Sequence, residues 1–200
     1  MNKLLISLLV SLGITGVAHA AGDAAAGQQK TAVCAACHGA DGNSAAPNFP
    51  KLAGQNASYL LKQLNDIKSG ARSIPEMTGM LDNLSDQDLA DIAAYFASNN
   101  VAVGQAAADQ VTAGQEIYRA GIADKGVAAC TACHSPNGQG NEAAAFPALS
   151  GQHAGYVEST LKKFAAGERN NDPSGMMRDI AVKMSESDMK AVAQYVQGLY

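Results

Sequence analysis

Cysteine occurs four times in this 200-residue chain, and all four belong to two copies of one pentapeptide, Cys34-Ala35-Ala36-Cys37-His38 and Cys130-Thr131-Ala132-Cys133-His134. Two thiols three positions apart reach the two vinyl groups of one haem. A histidine directly behind the second thiol then turns an imidazole toward the iron, so C-x-x-C-H reads as covalent haem attachment with a proximal ligand. The same cysteine spacing also serves zinc or thiol redox chemistry. Two disulfides are the ordinary use of four cysteines in an oxidising compartment. A disulfide framework does not explain why a histidine follows each pair, or why each pair is so tightly spaced; thioether bonds to haem do. The motifs predict two covalently bound haem c groups, held by Cys34, Cys37, Cys130 and Cys133, with His38 and His134 as iron ligands.

The other side of each iron decides the chemistry: a filled position passes electrons only, an open one admits peroxide or another small molecule. After the two motifs the candidates are Met77 and Met80, then His153, Met176, Met177, Met184 and Met189. An internal repeat chooses among them. Ala26-Gly27-Gln28 corresponds to Ala113-Gly114-Gln115, and Phe49-Pro50-Lys51-Leu52-Ala53-Gly54-Gln55 recurs as Phe146-Pro147-Ala148-Leu149-Ser150-Gly151-Gln152 at an offset of 97. That offset persists through Tyr59 and Tyr156, Leu64 and Leu161, and Arg72 and Arg169, and residues 85–96 recur as 185–196 at an offset of 100. The chain is a tandem duplication of one module of about 90 residues.

Eight positions before Ser85 stands Met77, and eight before Ser185 stands Met177. Met80, Met184 and Met189 pair with Ile180, Leu84 and Leu89 and read as packing, whereas Met176, paired with Glu76, competes with its neighbour Met177. His153 pairs with Asn56 and reads as the start of a helix. Neutral thioether sulfur favours ferrous over ferric iron and so raises the reduction potential, which suits a haem that takes electrons from a quinol-oxidising complex or its carrier. The carbonyls of Pro50 and Pro147 are candidates to accept the second ring N–H of the histidines. Tyr59, Tyr156, Arg72 and Arg169 read equally as propionate partners or as half-buried packing and solvated helix ends.

The elements that must position these groups are helical. Leu60, Leu61, Leu64 and Ile67 share one helical face, as do Tyr156, Val157, Leu161 and Phe164. The terminal helices of both modules open on an N-cap serine with an acid three positions on, Ser85-x-x-Asp88 and Ser185-x-x-Asp188. The Ala-Gly-Gln triplets are expected to open helices leading into the cysteine motifs, and residues 98–112 to form a linker. No run alternates with period two, so the expected fold is all-α. Modules this small and rich in alanine and glycine are short of core, and the haem is expected to provide the missing centre, leaving apo-protein largely unfolded.

Residues 1–20 read as a secretory signal peptide, with Lys3, an apolar run and an Ala18-His19-Ala20 cleavage pattern, which places the product in the periplasm. The expected domains are residues 21–104 and 105–200. Losing Lys3 takes the net charge from −4 to −5, which argues against nucleic acid or anionic lipid as an electrostatic partner.

Two C-x-x-C-H modules, each followed by Phe-Pro-x-Leu-x-Gly-Gln and by a methionine ahead of a Ser-x-x-Asp helix, resemble the dihaem cytochrome c4 family, two class I cytochrome c folds in tandem. Asp41-Gly42-Asn43-Ser44, Tyr59-Leu60-Leu61-Lys62-Gln63-Leu64 and Glu76-Met77-Thr78-Gly79-Met80-Leu81 carry the likeness further. The resemblance implies His38 and Met77 on the first haem, and His134 and Met177 on the second. It implies an electron carrier between quinol-cytochrome c reductase and terminal oxidases, with a loose hold on the inner-membrane surface at most. Two rival readings are the cytochrome subunit of a larger dehydrogenase and a dihaem peroxidase. The peroxidase requires an open iron, yet both modules offer the same methionine, and no further histidine stands ready as acid or base.

Overall fold

The computed structural model describes residues 22–200; the expected signal peptide lies outside them. The first half contains α1 (Ala24–Gln28), α2 (Ala32–His38), α3 (Ala57–Lys68) and α4 (Asp86–Ser98). The second contains α5 (Val111–Ala120), α6 (Thr131–His134), α7 (Ala154–Ala165), α8 (Met176–Ala181) and α9 (Glu186–Gln197). Among the described residues β-pairing is limited to two isolated bridges, Ile122 with Val127 and Asn141 with Phe146. The all-α expectation holds.

The frame of each domain is a crossing of its first and last helices, α1 on α4 and α5 on α9. Glycine makes the crossing close: a Cβ on Gly27 would lie 2.0 Å from the carbonyl oxygen of Asp91, and one on Gly114 2.3 Å from that of Ala191. The Ala-Gly-Gln triplets, expected to open their helices, do not. They lie at the end of α1 and inside α5, where backbone meets backbone.

The last helices begin as the sequence requires. Ser85 and Ser185 each accept the amide N–H of the residue three positions on, and Asp88 and Asp188 bond back to the serine amide, a full capping box in both domains. Leu89, Ile92, Ala93 and Phe96 are buried on α4, and Met189, Val192, Ala193 and Val196 on α9. On α3 the apolar face is only partly withdrawn from water: Leu60 is buried, but Leu61, Leu64 and Ile67 are half-buried. Of the remaining methionines, Met184 and Met189 are core, as expected, whereas Met80 is 41% exposed and is not packing.

The domains meet through the repeated Phe-Pro-x-Leu-x-Gly-Gln segments in a reciprocal arrangement. Gln55 of the first domain donates from Nε2 to the Ala148 carbonyl (2.9 Å) and accepts the Ala148 N–H at Oε1 (2.7 Å). Gln152 of the second does the same with Lys51, at 2.9 Å in each direction. Gln55 and Gln152 correspond in the repeat, and so do Lys51 and Ala148. The interface is thus built like the isologous contact of a two-fold dimer, with each patch facing its own copy. Lys51 Nζ adds bonds to the carbonyl of Gly151 (2.9 Å) and to that of Ala102 in the linker, fastening three segments at once.

Candidate functional site

Both cysteine motifs end in a histidine held the same way. His38 Nδ1 lies 2.9 Å from the Pro50 carbonyl oxygen, and His134 Nδ1 lies 3.0 Å from that of Pro147. That bond fixes the ring and leaves Nε2 as the nitrogen for a metal. The two histidines are 9% and 8% exposed, and burial lowers the pKa of both against the opposing pull of the carbonyl. A neutral imidazole, the form that binds iron, is favoured.

The four cysteines are free of disulfides. Burial raises the Cys34 thiol and pushes Cys130 up to about 11, the opposite of what a nucleophilic or zinc-binding thiol requires. Among the described residues no three His, Cys, Asp or Glu side chains converge as a metal cluster. Free thiols in pairs, each pair followed by an anchored histidine, fit thioether attachment of a porphyrin.

The methionines separate by burial. Met77 ends a 3-10 turn (Pro75–Met77), half-buried, with its amide bonded to the Ile74 carbonyl. Met177 is half-buried against the second domain's core, whereas Met176 is 38% exposed. Met177 stands in the first turn of α8. The helix begins there because Asp172 Oδ2 accepts the amides of Met177 (2.9 Å) and Arg178 (3.1 Å), while Oδ1 pairs with Arg178 Nε at 2.8 Å. Burial alone would raise the Asp172 carboxyl, but the Arg178 amide and guanidinium hold it below its ordinary range. Sequence reading did not single out Asp172.

His153 caps α7 and lies 3.0 Å from Ser44 Oγ and 2.9 Å from the Ser44 carbonyl oxygen, across the domain boundary and committed there. Tyr59, Tyr156, Arg72 and Arg169 also join the domains. Arg72 donates to Tyr156 Oη (3.1 Å), and Arg169 to Tyr59 Oη (2.9 Å), each reaching the tyrosine of the other domain. Both guanidinium groups also donate to Gln63 Oε1, at 2.9 and 3.1 Å. Gln63, 6% exposed, is a hub that periodicity had no means to find. Neither arginine has a carboxylate partner among the described residues. Arg169 is buried and Arg72 half-buried; two cations withdrawn from water around one amide oxygen call for anions, and the carboxylates of a haem are such anions. The residues present therefore fit the group that the cysteine motifs announced.

Helical modules in tandem, each with paired free thiols, a carbonyl-anchored neutral histidine and a half-buried methionine, define a dihaem c-type cytochrome. The cytochrome c family model matches residues 24–100 and 111–200. Cytochrome c4 of Azotobacter vinelandii is 60% identical over the full length of both chains. The crystal structure of reduced recombinant cytochrome c4 from Pseudomonas stutzeri superposes with a TM-score of 0.88 at 55% identity, over 90% of this chain and 100% of that one. A thiosulfate dehydrogenase electron acceptor from Stutzerimonas stutzeri is 41% identical over 81% of this chain and 76% of its own. The chain belongs to the cytochrome c4 family: it carries two haem c groups and transfers electrons, as a carrier and not an enzyme.

Proposed function

We propose that this protein is exported by residues 1–20 and relays electrons in the periplasm from a quinol-oxidising bc complex to terminal oxidases, using domains that divide at Gly104. We assign the thioether bonds to Cys34, Cys37, Cys130 and Cys133, and the axial positions to His38 with Met77 and His134 with Met177. The observation that carries the assignment is the matched pair of carbonyl-anchored histidines, at 2.9 and 3.0 Å, in domains that each offer one half-buried methionine eight residues before the capping serine.

When bound, each haem supplies a one-electron ferric–ferrous couple. The chain's own residues do the rest. Pro50 and Pro147 fix the imidazoles and raise their basicity. Met77 and Met177 offer sulfur where an exogenous molecule would otherwise enter. Asp172 holds the Met177 backbone, and that support favours Met177 over Met176. Arg72 and Arg169, each bonded to the tyrosine of the opposite domain, would balance the haem carboxylates at the interface. Among the described residues no helix is long and apolar enough to cross a membrane.

The likeness to a thiosulfate dehydrogenase electron acceptor favours a second electron source, a periplasmic dehydrogenase. Stopped-flow reduction by each purified donor separates the two.

Replacing Met77 or Met177 with alanine tests the ligands. Each variant is expected to lose the far-red sulfur-to-iron band of one haem, to bind carbon monoxide there, and to lower only that haem's potential. A variant retaining both bands would overturn the assignment in its domain, and Met176→Ala is expected to retain both.

A further inference from the structure

The peptide group between Pro50 and Lys51 is bonded at both ends. Its carbonyl oxygen accepts the His38 ring N–H (2.9 Å), and its N–H donates to Oε1 of Gln152, from the other domain (2.9 Å). The peptide between Pro147 and Ala148 repeats this: its oxygen accepts the His134 N–H (3.0 Å), and its N–H donates to Gln55 Oε1 (2.7 Å). Each glutamine then donates from Nε2 to the carbonyl of the same Lys51 or Ala148. Both glutamines are 7% exposed.

Hydrogen bonds on the two ends of one amide reinforce each other, by about 10–30% per bond in condensed phases. A glutamine oxygen drawing on the amide hydrogen leaves the carbonyl more negative, and the histidine N–H is then held more strongly. A histidine so held is a more basic ligand. A more basic ligand favours ferric iron and lowers the reduction potential.

We propose that Gln152 and Gln55 are positioning residues that act in trans: Gln152 of the second domain sets the ligand strength of His38 in the first, and Gln55 of the first sets that of His134 in the second. The proposal rests on His38 and His134 as the proximal ligands. It makes each domain part of the other's redox centre through a chain of two hydrogen bonds and one peptide. It also gives these glutamines a role that apolar residues of similar size cannot fill.

The test is a redox titration of the mature two-haem protein, followed by NMR so that the two haems are read separately, in the variants Gln152→Leu and Gln55→Leu. Gln152→Leu is expected to raise the potential of the first haem and to shift the hyperfine resonances of His38, leaving the second haem near its wild-type value. Gln55→Leu is expected to do the reverse. Ser58→Ala, which removes a bond across the same boundary to the Glu142 carbonyl (2.6 Å) without touching either peptide, is expected to leave both potentials unchanged.

A shift confined to the domain that carries the substitution, an equal shift of both haems, or no shift overturns the proposal. The two variants are read independently, so one that fails to fold leaves the other decisive. In unmodified ferrous protein, scalar coupling through the hydrogen bond from the Lys51 and Ala148 amides to the glutamine carbonyl carbons is expected, and its absence also overturns the proposal. Variants that keep both far-red bands retain their axial ligands, so a failed shift in them counts against the glutamines alone. Absence of a histidine–methionine low-spin signature from the unmodified protein would instead overturn the ligand assignment.

Discussion

In the first domain the crossing of α1 and α4 is tied by charge. Asp91, 3% exposed, accepts the Asp23 amide (2.9 Å) and Gln87 Nε2 (2.8 Å), and pairs with Lys30 at 3.1 Å, while Lys30 also reaches Asp88. In the second domain Ala191 takes the place of Asp91, and the crossing is tied by aromatic rings. Tyr118, fully buried, packs against Tyr195 with the rings tilted at 49° and 5.5 Å between centroids, and donates to the Ser135 carbonyl at 2.7 Å. The cores differ in the same sense. The second domain joins sixteen buried residues into one cluster; the first joins Leu60, Ile92, Ala93 and Phe96 within a half-buried rim that includes Cys34, Leu61 and Leu64. The duplicated motif preserves the attachment of the cofactor and leaves the surrounding protein free to diverge. The first domain, with less core of its own, depends more heavily on the haem.

The largest predicted consequence concerns haem-free protein. When export and attachment are blocked, the first domain is expected to lose its amide protection throughout, while α5, α7 and α9 keep partial protection. Hydrogen exchange read by mass spectrometry checks this, and equal protection in both domains would break the comparison.

Acid comes next. The Asp91 carboxyl is held below its ordinary value by the Asp23 amide first, then by Gln87 and Lys30, against the opposing effect of burial. Its folded pKa is lowered, so its contribution to stability is fully present above the unfolded value of about 4 and is lost as pH falls through the folded value. Asp88 and Asp188 are lowered in both domains and do not distinguish them. Asp172 gives the second domain an acid-sensitive point of its own, at α8 and not at the helix crossing. Below about pH 4 the amides of α1 are expected to open before those of α5, and Asp91→Asn is expected to abolish that order.

A smaller effect reverses the ranking. Gly39 follows His38 at φ 80°, and Ser135 follows His134 at φ 65° and ψ 159°, a region open almost only to glycine. Such a residue costs on the order of 1–3 kcal/mol. Part of that is offset by Ser135 Oγ, which accepts the Gln139 amide at 2.9 Å. Ser135→Gly is expected to stabilise the second domain by about 1 kcal/mol. Gly39→Ala is expected to destabilise the first, since the new Cβ would lie 2.7 Å from the Asn43 carbonyl oxygen. Thermal unfolding followed at each haem checks both.

The attachment motifs and the capping serines were legible in the sequence because each is a local pattern, present twice. The interface was not legible, although its residues were in plain view. Gln55 and Gln152 belong to the repeat, but a residue repeated in both modules serves the cofactor or the sister module equally well on paper. Tyr59, Tyr156, Arg72 and Arg169 were balanced between propionate contacts and packing for the same reason, and they proved to cross between domains. Lys51 breaks the repeat, being alanine at 148, and that break was the one available signal for its place between both domains and the linker. The Ala-Gly-Gln triplets, matched in the repeat, were read as helix starts, whereas their glycines permit a close helix crossing.

Both irons are predicted to be closed by sulfur and to exchange electrons alone. Carbon monoxide added to the reduced, unmodified two-haem protein tests it directly. The visible spectrum is predicted not to change at either haem, and a carbon monoxide adduct at one or both would contradict the account.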